Sequence, residues 1–256
     1  MPRSDRDIVT VSPPTLAHTD FSAIDCGFSE TQAAYDRDWI SDRFADGLQI
    51  RMFQGAARGY VMFQPGRLSW RPVEGADRAI VIHDLRVADA PGADETTRRL
   101  WDSVESFARY YGYAAVLAIG GEGCGVIPRL RRPTHRWLKL DQSACGSELW
   151  GRILQGPLAL PRFPDDFAQR VQRLGPGLCV QTTGEMADTD RRIAALRAAM
   201  GPVPVAVDRL ADARAVHQRA VRPGAGYSVV LDGRVLGGAD LDEADVLRAW
   251  RATRRH

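Results

Sequence analysis

His83 and Asp84 are the neighbouring pair in this sequence best suited to moving protons. An imidazole titrates near neutral pH, so a histidine beside a bound amine works as a general base. A histidine hydrogen-bonded inside a sheet does no chemistry, and both readings stay open. Glu122 lies in a glycine-rich interval, Gly120 to Pro128, where it could act as a base; a solvated carboxylate is the simpler reading. The glycines there, beside Arg129, Arg131 and Arg132, could form an anion nest; the alternative is a solvated loop. Cys26, Cys124, Cys145 and Cys179 are scattered and form no C-x-x-C, so neither a zinc site nor a redox dithiol is expected. The histidines at 18, 83, 135, 217 and 256 have no metal-ligand spacing, and the expected metal set is none.

His83 and Asp84 must be positioned by a strand. Ala79 to Val87 has the bulk and alternation of a buried one. Pro91-Gly92 then turns the chain. From Asp94 onward, Leu100, Trp101, Val104, Phe107, Ala108 and Tyr111 recur on one helical face. Strand, short loop and helix is a standard anion cradle, because a helix N-terminus offers N–H groups and a partial positive charge.

The chain has 256 residues, enough for two domains. It is 45% hydrophobic and 26% charged, so it can bury a core. A net charge of +2 is too small to imply nucleic acid or an acidic membrane as partner. The basic run Arg129 to Arg136 therefore reads as a solvated face. No apolar run approaches the roughly 20 residues of a membrane span. Met1 to Asp7 is polar, without a signal-peptide core, so a cytoplasmic protein is expected.

Further elements follow in chain order. Ile8 to Val11 reads as a strand. Ser29 or Thr31 could cap a helix reaching Ala45. Leu48 to Phe53 and Gly59 to Phe63 read as a hairpin. Trp70 and Arg71 read as a ring stacked on the sheet with its neighbour's guanidinium reaching outward to water; lining a ligand pocket is the alternative. Ala114 to Ile119 is a buried strand, and Thr134 to Leu140 is expected to be the last strand of its domain. Asp165 to Leu174 suggests local helix. Gly177 to Gln181, Asp188 to Met200, Val203 to Val207, Leu210 to Ala220, the hairpin across Asp232-Gly233 and Leu241 to Trp250 then give βαβ followed by αββα.

The runs Gly59 to Pro65, Ser69 to Val73 and Ile80 to Val87 resemble GNAT-type N-acetyltransferases, most closely the YoaP-like group with a C-terminal thioredoxin-like domain. The resemblance implies an α/β chain: a GNAT-like mixed twisted sheet over 1–141, a connection over 142–175, and a thioredoxin-like domain without redox cysteines over 176–256. It implies acyl transfer from acetyl-CoA or another acyl-CoA to an amine, with His83 and Asp84 at the acceptor pocket. Leu85, Arg86 and Val87 would bind pantetheine, and Gly92 would lie near the pyrophosphate. No metal, nucleic acid or membrane is implied, and the small-molecule or protein partner stays unnamed.

Three departures bear on activity. The two glycines of the family's pyrophosphate loop fall on Ala93 and Glu95, with Asp94 between. If Asp94 caps the helix, its carboxylate takes the place of an external anion, and acetyl-CoA binds weakly or not at all. The tyrosine that often protonates the leaving thiolate is missing from Gly120 to Pro128. Met186 stands where the thioredoxin family has a cysteine, and a thioether forms no thiolate. The alternative is therefore a non-catalytic or repurposed protein that binds a partner or small molecule.

Overall fold

The computed structural model describes residues 7–19, 35–55, 57–121, 137–224 and 226–254. The reading of Glu122, the interval reaching Pro128, the arginine run to Arg136, Cys26, Cys124, His135, His256 and the helix start at Ser29 or Thr31 lie outside these residues. The chain divides into two compact units. One takes residues 7–19, 40–69 and 73–163 where described; the other takes 35–39, 70–72 and 164–254.

The first unit is built on a seven-stranded sheet. Its strands are β1 (Ile8–Val11), β2 (Gln49–Phe53), β3 (Gly59–Pro65), β4 (Ala79–Val87), β5 (Ala115–Gly120), β6 (Leu138–Gln142) and β7 (Glu148–Ile153). Their order is β1-β2-β3-β4-β5-β7-β6, antiparallel except for the β4–β5 pair. The mixed order explains the composition of β5. All six of its residues are buried, which suits a strand covered on both faces.

Two short helices, α1 (Pro13–Leu16) and α2 (Arg37–Ala45), precede β2. The long helix α3 (Ala93–Tyr110) connects β4 to β5, as a parallel pair requires. Leu100, Trp101, Val104 and Ala108 face inward and pack with Val61, Phe63, Ile80, Ile82, Leu85, Val87, Val116 and Ala118. Asp94 and Glu95 in the first turn and Arg109 in the last suit the helix dipole. Truncating fully buried Leu100 to alanine should cost about 2–5 kcal/mol.

The stretch 142–175, expected to be a connection, supplies β7, which pairs with both β5 and β6. The strand near Leu140 is therefore not the last of its sheet. The residues before β7 turn through Ser143 to Ser147, where the Ser143 hydroxyl accepts the Ser147 N–H at 3.1 Å.

The second unit begins with α4 (Phe167–Arg173) and runs β8 (Leu178–Thr182), α5 (Thr189–Met200), β9 (Val205–Arg209), α6 (Ala213–Arg219), β10 (Tyr227–Leu231), β11 (Arg234–Gly237), α7 (Glu243–Thr253). The sheet order is β11-β10-β8-β9, with β8 parallel to β9 and the remaining pairs antiparallel. Asp232 and Gly233 turn the final hairpin with φ of 47° and 73°, the two positive angles a type I′ turn needs. Leu178 and Val180 pack with Ile193, Leu196, Met200 and Val246. Cys179 faces the other way, with Val171, Val221 and Val230. The Asp212 and Asp242 carboxylates cap α6 and α7, each accepting an N–H at 2.7 Å.

Candidate functional site

The pairing of β4 changes at the two residues singled out for chemistry. Across β3, Phe63 pairs with Ile82 and Met62 with Asp84, so His83 is the extra residue in the register. This is a β-bulge, a device that re-aims side chains. The core shows the slip. Ile80 and Ile82 join the cluster under α3, and then Leu85 and Val87 do. His83 and Asp84 therefore occupy consecutive positions between the two inward-facing series.

The other edge of β4 changes at the same place. Parallel pairing with β5 runs from Ala79↔Ala115 to Ile82↔Ala118 and stops there. Beyond Ile82 no strand among the described residues pairs with that edge, while β3 continues to pair with Asp84 through Val87. The result is a splay between two adjacent parallel strands, with backbone of Leu85 to Val87 on its wall.

His83 and Asp84 are both 6% exposed. The Tyr60 hydroxyl donates to Asp84 Oδ2 at 2.8 Å, and Arg86 Nε donates to the same oxygen at 2.8 Å. Asp84 thus anchors two side chains, and the Arg86 guanidinium is committed to it. Tyr60 was not singled out in the sequence. Its signal was available only through register, since it lies on β3 opposite Arg86.

The turn after β4 differs from the expectation. The residue capping α3 is Gly92, at φ 91°, and not Asp94. A positive φ explains glycine at this position. A Cβ at Gly92 would meet nothing within 4 Å, so its backbone is open to close approach. Asp94 lies one residue inside the helix and is exposed. Glu95 is paired with Arg98 at 2.5 and 2.9 Å, and Arg98 also reaches Asp102 at 2.8 Å. The Glu95 carboxylate is thus already balanced by a guanidinium.

A cavity of about 580 Å³ opens by β1 and the end of β2, lined by residues including Thr10, His18, Gln54 and Arg58. The Arg58 carbonyl accepts the Ala88 N–H at 2.8 Å.

In the second unit, Trp70 and Arg71 overturn the reading of a solvated guanidinium. Trp70 is 1% exposed and meets Trp39 edge to face at 5.4 Å. Arg71 is buried and forks onto Glu185, Nη1 to Oε2 at 2.9 Å and Nη2 to Oε1 at 3.1 Å. Glu185 adjoins Met186 in the segment after β8. The Asp36 N–H donates to the Glu185 carbonyl at 2.9 Å, and Tyr35 forms an antiparallel bridge with Met186. Burial, and next the Asp208 charge, push the Cys179 thiol up, which keeps it protonated at neutral pH. Among the described residues no three of His, Cys, Asp and Glu gather as metal ligands would, and no helix is long and apolar enough to cross a membrane.

No protein-family model matches the chain, and no curated protein sequence matches it significantly. Among solved structures, it is similar to a ribosomal-protein-alanine N-acetyltransferase from Brucella melitensis, with 17% identity and a TM-score of 0.42 over 57% of this chain and 99% of that one. An N-acetyltransferase from Staphylococcus aureus Mu50 gives 15% identity and 0.39 over 58% and 96%. A GNAT superfamily phosphinothricin acetyltransferase from Sinorhizobium meliloti, in complex with AcCoA, gives 13% and 0.41 over 57% and 87%. At these scores the likenesses carry no weight beside the geometry itself.

Proposed function

We propose that the first unit is a GNAT-type acyltransferase, moving an acyl group from acyl-CoA to an amine. The observation that carries this reading is the splay: β4 bulges at His83 and loses β5 at the same residue. A pantetheine arm runs along a strand edge, and this reading places it along β4 past its last pair with β5 at Ile82. Arg86 contributes through its backbone, because its side chain is held by Asp84. The pyrophosphate falls to the turn at Gly92, where the backbone is open and the dipole of an 18-residue helix favours an anion.

Within this reading His83 takes the proton from the attacking amine. Asp84 is a positioning residue, fixing Tyr60 and Arg86 rather than accepting the proton. Acyl-CoA supplies the activated thioester; the chain binds, orients and deprotonates the acceptor, the amide C–N bond forms as the thioester C–S bond breaks, and CoA leaves as a thiolate that takes its proton from solvent. Of the grounds for weak binding of acetyl-CoA, Asp94 as the helix cap falls away because Gly92 caps α3, while Ala93 and Glu95 still stand where the family has its glycines.

The second unit reads as thioredoxin-like in topology and structural in role. Its strand order and the parallel β8–β9 pair support the topology. Met186 and the protonated Cys179 leave it no thiolate, and Glu185, the residue before Met186, is held by Arg71. The stability of a Glu185 variant tests that role.

Calorimetric titration of the full chain with acetyl-CoA tests the main reading. Saturable binding with Kd of about 1–100 μM, equivalent to roughly 5–8 kcal/mol, is expected. Absence of binding below about 1 mM would leave a chain with this sheet but without the co-substrate, and the non-catalytic alternative would stand.

A further inference from the structure

Between α4, β9 and α6 of the second unit lies a cavity of about 210 Å³, lined by Arg170, Arg173, Leu174, Asp208 and Arg219. Three of these five residues are arginines. Arg170 and Arg173 are three apart on α4 and so share a helix face. Asp208 comes from β9, and Arg219 is the last residue of α6.

The hydrogen bonds show which donors are spent. Arg170, with a side chain 6% exposed, gives Nε to Asp166 at 2.6 Å and Nη1 to the Ala220 carbonyl at 3.3 Å. Its ring neighbour is Phe167, 5.4 Å from the guanidinium carbon. Arg219 gives Nη2 to Asp208 Oδ1 at 2.6 Å and to the Arg209 carbonyl at 3.2 Å. The second Asp208 oxygen takes Gln181 Nε2 at 2.9 Å. Each carboxylate is therefore matched by one guanidinium. Arg170 Nη2 and Arg219 Nε and Nη1 have no acceptor among the described residues. Arg173, exposed at the rim, has neither an ion-pair nor a hydrogen-bond partner among them. One positive charge and several N–H donors remain over a small concave space.

We propose that this cavity binds a phosphate-class oxyanion, either inorganic phosphate or the terminal group of a short phosphomonoester. Guanidinium forks match the spacing of phosphate oxygens, and burial of Arg170 reduces screening by water. The volume corresponds to about seven waters at their liquid share, which admits a phosphate with a few further atoms. Asp208 does not repel the ligand strongly while Arg219 and Gln181 hold both of its oxygens. Nothing in this site depends on acyl transfer by the first unit.

The test is calorimetry on the full chain with inorganic phosphate, in chloride at constant ionic strength, alongside the phosphate-dependent rise in Tm. One saturable site is expected. Arg173→Ala removes no intramolecular partner, so it should keep the ligand-free Tm and weaken phosphate binding by about tenfold, the loss of one charged contact. Arg219→Gln should weaken it also. Glycerol 3-phosphate in a second arm separates the sources: tighter binding than phosphate assigns an ester, equal or weaker binding assigns the free ion. Lack of saturable binding in both readouts, or full affinity in Arg173→Ala, overturns the proposal.

Discussion

Each unit buries a carboxylate beside a place where chemistry was expected, and the two are handled in opposite ways. Asp84 has one oxygen engaged, by Tyr60 and Arg86, next to a bulge and a strand edge that has lost its partner. Glu185 has both oxygens taken by the fork of Arg71, and its carbonyl is taken by Asp36. It is also wedged against the backbone: a Cβ on Gly226 would come within 2.2 Å of Oε1. Burial of a charged group therefore does not by itself mark a reactive site. What distinguishes the two is how many of the carboxylate's oxygens are engaged and whether the strand beside it keeps its neighbour. Beside Asp84 the pairing of β4 with β5 has ended, whereas at Glu185 both oxygens and the carbonyl are taken by the chain's own groups.

The comparison breaks most readily at Glu185. Removing one partner of a buried pair leaves an uncompensated charge, and Glu185→Ala should destabilise the protein by about 3–5 kcal/mol. Urea unfolding followed by tryptophan fluorescence reports it, since Trp39 and Trp70 lie in the same unit. The double variant Arg71→Met with Glu185→Leu should recover most of the loss, because an apolar pair carries no desolvation cost. A single-variant loss below about 1 kcal/mol, the range of exposed pairs, would show that the position is not closed.

The Asp84 side should respond less. Tyr60→Phe removes one donor and leaves Arg86 on the same oxygen, so a loss of about 1–2 kcal/mol is expected in the same unfolding assay. A loss as large as that of Glu185→Ala would make Asp84 another closed pair and remove the distinction drawn between the units.

The sequence showed the ordering of elements well where period and turn chemistry agreed. The strand, turn and helix from Ala79 to Tyr111 and the Asp232-Gly233 hairpin are of this kind. It showed less where the signal was diluted. In β7 only two of six residues, Leu149 and Gly151, are buried, and Pro157, Pro161 and Pro164 follow closely, so the stretch reads as a connection. The bulge was legible in principle. Apolar residues at 80 and 82, then 85 and 87, enclose a polar doublet, and a strict alternation of period two cannot hold both pairs on one face. Arg71 was not legible, since its partner is 114 residues away and only the tertiary fold brings Glu185 to it. The helix cap turned on one residue: Gly92 and Asp94 both suit an N-terminus, and the left-handed backbone at Gly92 decided it.

The smallest effect concerns a third buried carboxylate, which places the comparison on a scale. Glu105 of α3 meets Arg152 of β7 at 2.6 Å, with a side chain 11% exposed. Burial raises its pKa, and this outweighs the lowering by Arg152. A carboxyl raised in the folded state is one whose ionised form folding disfavours. Its cost is present above the folded pKa and fades as pH falls through the folded value toward the unfolded one. Below the unfolded value both states are protonated and the cost is gone. Glu105→Gln, a neutral copy of the protonated side chain, should therefore equal or slightly exceed the parent in Tm at neutral pH. The two Tm values should converge as the pH is lowered through the ordinary carboxylate range. A clear loss of Tm at neutral pH would mean that Arg152 prevails over burial. Glu105 would then belong with Glu185, as a pair that the fold depends on.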